Sequence, residues 1–321
     1  MKLDDFAQSI LHLNNKDTLE PVAKSLEQHP DFRVLRRFQP VDRYHAPSDT
    51  DVSVGILLDT ETTGKDPAID KLIELGMVKF EYCAKTGRVF SVLEVFNALE
   101  DPGMPIPEAA SAVNGIFDAE VKGKAIDDAA VAGFIAGADL IVAHNAEFDR
   151  QIVERRFPLF TDFAWGCSLR QVDWAAQNFG SQKLDYLAYR LGFFFDAHRA
   201  VADCRATLHV LQSALPIGGH CALSEILQAS KNDSLRIWAL DARFEKKDDL
   251  KNRGYRWADG SNGTEKAWNI EIEGDDENYL AEVDWLRQNI YSKKGFRLAV
   301  DVVSPLTRFS ARPGRRTVHM C

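Results

Sequence analysis

Asp59 and Glu61 stand one residue apart at the end of an apolar run, within residues 54–64, Val-Gly-Ile-Leu-Leu-Asp-Thr-Glu-Thr-Thr-Gly. Side chains at i and i+2 of an extended segment point to the same side. Both carboxylates therefore project together from the end of a buried strand. Acids so close repel, and each resists ionisation. A cation between them removes the conflict, so the pair reads as half of a metal site. A second landmark runs from Val142 through His144, Asn145 and Phe148 to Asp149. A strand ends there and a helix starts, with Asn145 a good N-cap type. Asp149 falls about one turn into that helix, on the face of its cap, and can point back toward Asp59 and Glu61. The third landmark is His198 through Asp203. Residues five apart in one helix lie well round the cylinder from each other. His198 and Asp203 converge only if His198 precedes the helix on a loop and Ala200 is the first helical residue. Each piece alone has a plainer reading: a turn at Asp59 and Glu61, a cap at His144 and Asn145, a surface side chain at His198. In this order they are far more specific.

These side chains need a sheet on which to meet. Apolar, β-branched runs at 52–58, 72–82 and 88–97 predict three neighbouring antiparallel strands, and 139–143 predicts a fourth leading straight into the helix. Helical spacing covers 168–179, 184–191 and 200–214. Consecutive strands followed by strand–helix units predict a mixed sheet flanked by helices within residues 51–216. Ahead of it, in residues 1–50, Phe6, Ile10 and Leu13, then Leu19, Val22 and Leu26, keep helical spacing, with Pro21 and Pro30 as start and stop signals. This reads as a short helical appendage, and the stretch around Pro40, Pro47 and Ser48 as a linker. After Gly218 and Gly219, residues 217–321 follow a smaller pattern: strand 235–240, helix 244–252, strands 255–258 and 266–272, helix 278–290 and strand 296–302. That is a small α+β domain. Trp238, Trp257, Trp268 and Trp285 read as its core ahead of a base-stacking surface.

A chain of 321 residues is long enough for two domains. Its net charge of −9 argues at first against a nucleic-acid partner. Its distribution weakens that argument. After Asp284, Arg287, Lys293, Lys294, Arg297, Arg308, Arg312, Arg315 and Arg316 are opposed only by Asp301. A basic tail on an acidic body can contact phosphates, and Lys293, Lys294 and Arg297 are expected to help hold nucleic acid. The last ten residues read equally well as a solvated, disordered end. Cys83, Cys167, Cys204, Cys221 and Cys321 form no Cys-x-x-Cys pair and read as reduced thiols of a cytoplasmic protein, without a zinc site or a disulfide framework. No apolar run is long enough to span a bilayer, and acids occupy the start where a secretory signal carries lysines, so no membrane partner is expected.

Taken together, Asp59-Thr-Glu61-Thr-Thr-Gly64, Asp149 in His-Asn-Ala-Glu-Phe-Asp, and His198 five residues before Asp203 resemble the three motifs of the DEDDh 3′–5′ exonucleases, the DnaQ-like family of the proofreading epsilon subunit of bacterial DNA polymerase III. The resemblance covers roughly 52–214. It includes 106–116, where relatives commonly carry His-Gly-Ile and this chain has Asn114, a change expected to alter substrate contacts and not to abolish chemistry. The resemblance implies an RNase H-like mixed sheet with two Mg²⁺ or Mn²⁺ ions. Asp59 would bridge both, Glu61 and Asp203 would complete the shells, and Asp149 would act largely through water. Magnesium prefers such hard oxygen ligands, and paired ions suit in-line phosphoryl displacement. His198 would be the general base, a task for which an imidazole titrating near neutrality is suited. Thr60, Thr62, Thr63 and Gly64 would approach the terminal nucleotide, and His144, Asn145 and Phe148 would flank the penultimate one. The implied substrate is a single-stranded 3′ end of DNA or RNA, with DNA favoured, released as nucleoside 5′-monophosphates. A DNA polymerase or repair factor is the implied partner. Two alternatives stand beside this: a binding subunit using the fold as a docking scaffold, and an RNase H-like endonuclease, disfavoured by the His198–Asp203 spacing.

Overall fold

The computed structural model of the protein describes residues 16–47, 51–260, 265–291, 295–312 and 315–321. Helix α1 (Lys16–Glu27) precedes a short strand, β1 (Arg36–Arg37). Pro21, expected at a helix start, lies inside α1, while Phe6, Ile10 and Leu13 fall outside the described residues.

The next elements are β2 (Val52–Thr62), β3 (Leu72–Cys83), β4 (Val89–Leu99), α2 (Glu108–Asn114), α3 (Asp118–Val121), α4 (Asp128–Ile135), β5 (Leu140–Ala143), α5 (Ala146–Arg156), β6 (Trp165–Cys167), α6 (Leu184–Arg190), β7 (Phe193–Phe194), α7 (Ala200–Gln212) and α8 (Ala222–Ala229). The sheet order is β4-β3-β2-β5-β6. The β2–β3 and β3–β4 pairs are antiparallel, and β2–β5 and β5–β6 are parallel. This is the expected mixed sheet. The helical reading of 168–179 fails: those residues form turns. Polar side chains there take backbone groups away from a helix. Gln171 Oε1 accepts the Cys167 N–H and Asp173 Oδ1 that of Ala176.

Strand parity divides the core. Leu57 points into a cluster with Phe80, Leu208, Leu211 and Ile226, on the side of α7 and α8. Ile56 and Leu58 point the other way, into a cluster with Phe134, Ile152, Val153 and Trp165, on the side of α4 and α5. Segment 36–45 straps across the first side. β1 pairs with β7 in parallel, and Phe38 and Tyr44 pack on that core.

A second sheet follows, from β8 (Ser234–Ala239), α9 (Lys247–Arg253), β9 (Arg256–Ala258), β10 (Ala267–Glu273), α10 (Asp276–Asn289), β11 (Arg297–Val303) and β12 (Arg315–Met320). Its order is β12-β11-β8-β10-β9, antiparallel throughout. The β-α-β-β-α-β run is a split β-α-β arrangement with one strand added. Trp238 and Trp268 are buried and Trp285 packs on the core under α10, but Trp257 on the edge strand is 50% exposed. The end of the chain is ordered by pairing: β12 lies along β11, where a disordered tail was one of two readings. Arg297 pairs with Asp241 at 2.8 Å, and Lys293 and Lys294 fall outside the described residues.

Segment 304–312 joins the two sheets. The Trp165 N–H of edge strand β6 donates to the Pro305 carbonyl at 3.1 Å. Arg150, 0% exposed, donates to the carbonyls of Leu306 and Arg308 at 2.6 and 2.7 Å and pairs with Glu154. Among the described residues no helix is long and apolar enough to cross a membrane, and all five cysteines are free.

Candidate metal centre

The end of β2 supplies two acids to one face and a threonine to the other. Asp59 and Glu61 share the parity of Leu57 and face α7, which carries Asp203. Ligand oxygens of Asp59, Glu61 and Asp203 all lie within 4.8 Å of one another. Thr60 faces α5 instead. Its hydroxyl and its N–H both donate to Asp149 Oδ1, at 2.8 and 3.1 Å. Asp149 is 3% exposed. It therefore approaches the three acids from the opposite side of the strand, tied through Thr60.

Two local features bring α7 to the sheet. A Cβ on Gly76 would lie 2.5 Å from the Ala200 carbonyl carbon, so only a bare strand lets the start of α7 come this close. His198 precedes the helix, exposed, with φ 66°. Ala200 is the first helical residue, as expected. The Arg199 N–H donates to Asp203 Oδ2 at 3.1 Å.

Electrostatics follow from crowding. Burial, then the neighbouring Asp149, Asp203, Glu61 and Glu74, push the Asp59 carboxyl well above its ordinary range. Burial, then Asp203 and Glu74, raise Glu61 to about 8, with an opposing hydrogen bond from Asn114. Burial raises Asp149 and Asp203 too. Hard oxygen donors that resist carrying their charges together fit a divalent cation of the magnesium type.

Thr62, Thr63 and Gly64 lie where β2 ends, and His144, Asn145 and Phe148 where α5 starts. Thr62 Oγ1 donates to the Gly64 carbonyl at 2.6 Å, and Thr63 Oγ1 to Asp70 Oδ1 at 2.9 Å. Gly64 leaves room for that Asp70 carboxylate, which a Cβ would meet at 2.5 Å. These three shape the turn that ends β2. His144 Nδ1 lies 2.7 Å from Ser168 Oγ. Burial lowers His144 to about 4, so its ring is neutral. Asn145 sits exposed at the N-cap of α5 without a side-chain capping bond. Phe148 is half-buried against the α5-side core. Asn114 is buried, and its Oδ1 accepts the Ile116 N–H at 3.0 Å while its amide serves Glu61.

Sequence reasoning missed Glu74. It is one of two acids in β3, the register partner of Glu61, and 0% exposed where Glu81 is half-buried. The signal was there, since an acid inside a run otherwise read as a buried strand needs a partner.

Residues 56–211 match the family profile described as Exonuclease. Among curated proteins, a DNA polymerase III subunit epsilon-like protein of Rhodobacter capsulatus is 34% identical over 171 residues, covering 50% of this chain and 23% of that one. A DNA polymerase III PolC-type of Listeria welshimeri is 30% identical over 161 residues, covering 48% and 11%. The matched stretch thus spans about a quarter or less of these relatives' length. Among solved structures, the zinc ion bound form of an E. coli ExoI–ssDNA complex aligns with TM-score 0.47 at 15% identity, over 74% of this chain and 71% of that one.

Proposed function

We propose that the chain is a DEDDh exonuclease through residues 56–211, the stretch that matches the Exonuclease profile, and that it removes nucleotides from the 3′ end of single-stranded DNA, releasing nucleoside 5′-monophosphates. The observation that carries this reading is the meeting of Asp59, Glu61 and Asp203 within 4.8 Å, with Asp149 held behind them by Thr60. Asp59, Glu61 and Asp203, with Asp149 behind them, would hold two Mg²⁺ or Mn²⁺ ions. When bound, such ions supply charge stabilisation to the attacking and leaving oxygens of an in-line displacement.

The protein's own groups do the rest. His198, on an exposed loop beside Asp203, takes the proton of the attacking water. The turn built by Thr62, Thr63 and Gly64 borders the terminal nucleotide. His144, neutral, and Asn145 and Phe148 flank the penultimate one. Asn114, through its hydrogen bond, keeps Glu61 oriented. The division into 1–50, 51–216 and 217–321 assigns the nuclease to the middle part and an accessory role to the last, with Lys293, Lys294 and Arg297 contacting the strand. A DNA polymerase or a repair factor is the partner class this reading favours.

A 5′-labelled single-stranded oligonucleotide incubated with the full chain and Mg²⁺ tests the proposal. A ladder shortening from the 3′ end is expected. Asp203→Ala abolishes it, and His198→Ala slows it by roughly 10²–10⁴. An intact oligonucleotide in every lane overturns the enzyme and favours a docking scaffold.

A further inference from the structure

We propose that Glu74 is a positioning residue that sets the geometry of His198 and Asp203 through Arg199. For its activity arm alone, this inference rests on the exonuclease reading. One buried carboxylate collects four donors. Glu74 Oε2 accepts the Ala200 N–H at 3.1 Å and Arg199 Nε at 3.2 Å. Its Oε1 accepts Arg199 Nη2 at 3.0 Å and Asn97 Nδ2 at 3.1 Å. Ala200 opens α7, and its N–H is one of the donors a helix start leaves without an intrahelical partner. The N-cap Arg199 offers no side-chain capping bond. The cap comes instead from a neighbouring strand, with a charge of the sign that a helix N-terminus favours.

The consequence reaches the two residues on either side. With Arg199 extended at φ −132° and ψ 119°, its N–H is free to hold Asp203 Oδ2. His198 just before it is left at φ 66°, a left-handed conformation that is strained for a non-glycine residue. Such a conformation persists where its surroundings over-determine it. Here the Arg199 fork, anchored on Glu74, is that surrounding. Starting α7 one turn earlier would relieve His198 but would turn it away from Asp203.

Glu74 is also an awkward choice for packing alone. It adds a carboxylate beside Asp59 and Glu61 and raises both. A neutral acceptor would cap Ala200 without that repulsion. What the charge adds is a two-point grip on a guanidinium whose side chain is 46% exposed and enters from outside.

The test uses the full chain with Glu74→Gln, Arg199→Gln and the double variant. Turnover is read on the labelled oligonucleotide and Mn²⁺ affinity by calorimetry without substrate. Each single variant is expected to lose roughly 10–100-fold in kcat with KM within about twofold, and to bind Mn²⁺ at least about fivefold more weakly. The double variant should be no worse than the worse single one, since both act through one link. Arg199→Lys, which keeps the charge but not the fork, should recover part of the loss. Losses that multiply in the double variant, a loss carried by KM, or singles at wild-type kcat and Mn²⁺ affinity overturn the proposal. Wild-type protein without activity would sink the exonuclease reading and leave the Mn²⁺ measurements to decide this one. If Glu74→Gln does not fold, Arg199→Gln decides by the same two readouts.

Discussion

Four acids in one pocket make the protein less stable than its packing alone would allow. Glu61 moves from an ordinary 4.5 to about 8, and Asp59, Asp149 and Asp203 shift in the same direction. Below about pH 3 these carboxyls are protonated in both folded and unfolded chains. As pH rises from there toward 8, the unfolded chain releases its protons first, so stability falls across that window. In EDTA at pH 8, Glu61→Gln should therefore be more stable than wild type by roughly 1–2 kcal/mol, or about 1.5–3 °C in Tm. The gap should shrink at pH 5 and close when Mg²⁺ is added. Calorimetric scans read this directly, and equal Tm values at pH 8 in EDTA would mean the acids are better solvated than the structure places them.

Strand β2 and the start of α7 decide which acids face each other. Residues 59 and 61 share a parity and meet α7, while residue 60 faces α5 and tethers Asp149. The approach of α7 depends on Gly76. A methyl group there would sit 2.5–2.6 Å from Ala200 and Val201 backbone atoms, which cannot swing aside as a side chain can. Gly76→Ala is expected to cost about 1–3 kcal/mol of stability and roughly 100-fold in kcat, because Asp203 and His198 move with the helix. Gly55→Ala is the control. Its Cβ would meet the Phe80 ring at 2.5 Å, within the same sheet but several residues before the acids. It should lower Tm and leave kcat near wild type. Equal kcat losses in both variants would show that general destabilisation, and not the placement of α7, limits turnover.

The two sheets are joined through the helix that carries Asp149. Arg150 follows it, fully buried, and its partners are the Leu306 and Arg308 carbonyls and Glu154. Arg308 in turn reaches the carbonyls of Ala229 and Asn232. Excising 232–321 would thus strip a buried guanidinium of carbonyl partners, so truncation is not a clean probe of nucleic-acid binding. Arg150→Met should destabilise the whole chain by about 1–3 kcal/mol, since it takes the guanidinium from the Arg308 carbonyl and one of the donors from Glu154 and from the Leu306 carbonyl, both of which keep Arg312. Urea denaturation followed by tryptophan fluorescence should show one transition shifted to lower urea. Two separate transitions, with only one shifted, would mean that the sheets unfold independently.

The three acidic motifs, the loop position of His198, the start of α7 at Ala200 and the strands of both sheets other than β6 and β12 were legible from residue types and period alone. Those properties are local: hydrophobic alternation, caps and i, i+2 geometry are carried by neighbours in the chain. The turns at 168–179, the short helices α2 to α4 and the added strand β12 were not legible, because side-chain hydrogen bonds or distant pairing partners decide them. Nor was the partnership of Glu74 with Arg199, 125 residues away, or the seat of Arg150 against segment 304–312. A buried charge needs a counterpart, but the one-dimensional chain does not say which of many it will meet. Only the packing of β3 against α7, and of one sheet's connecting segment against the other's edge, makes that choice.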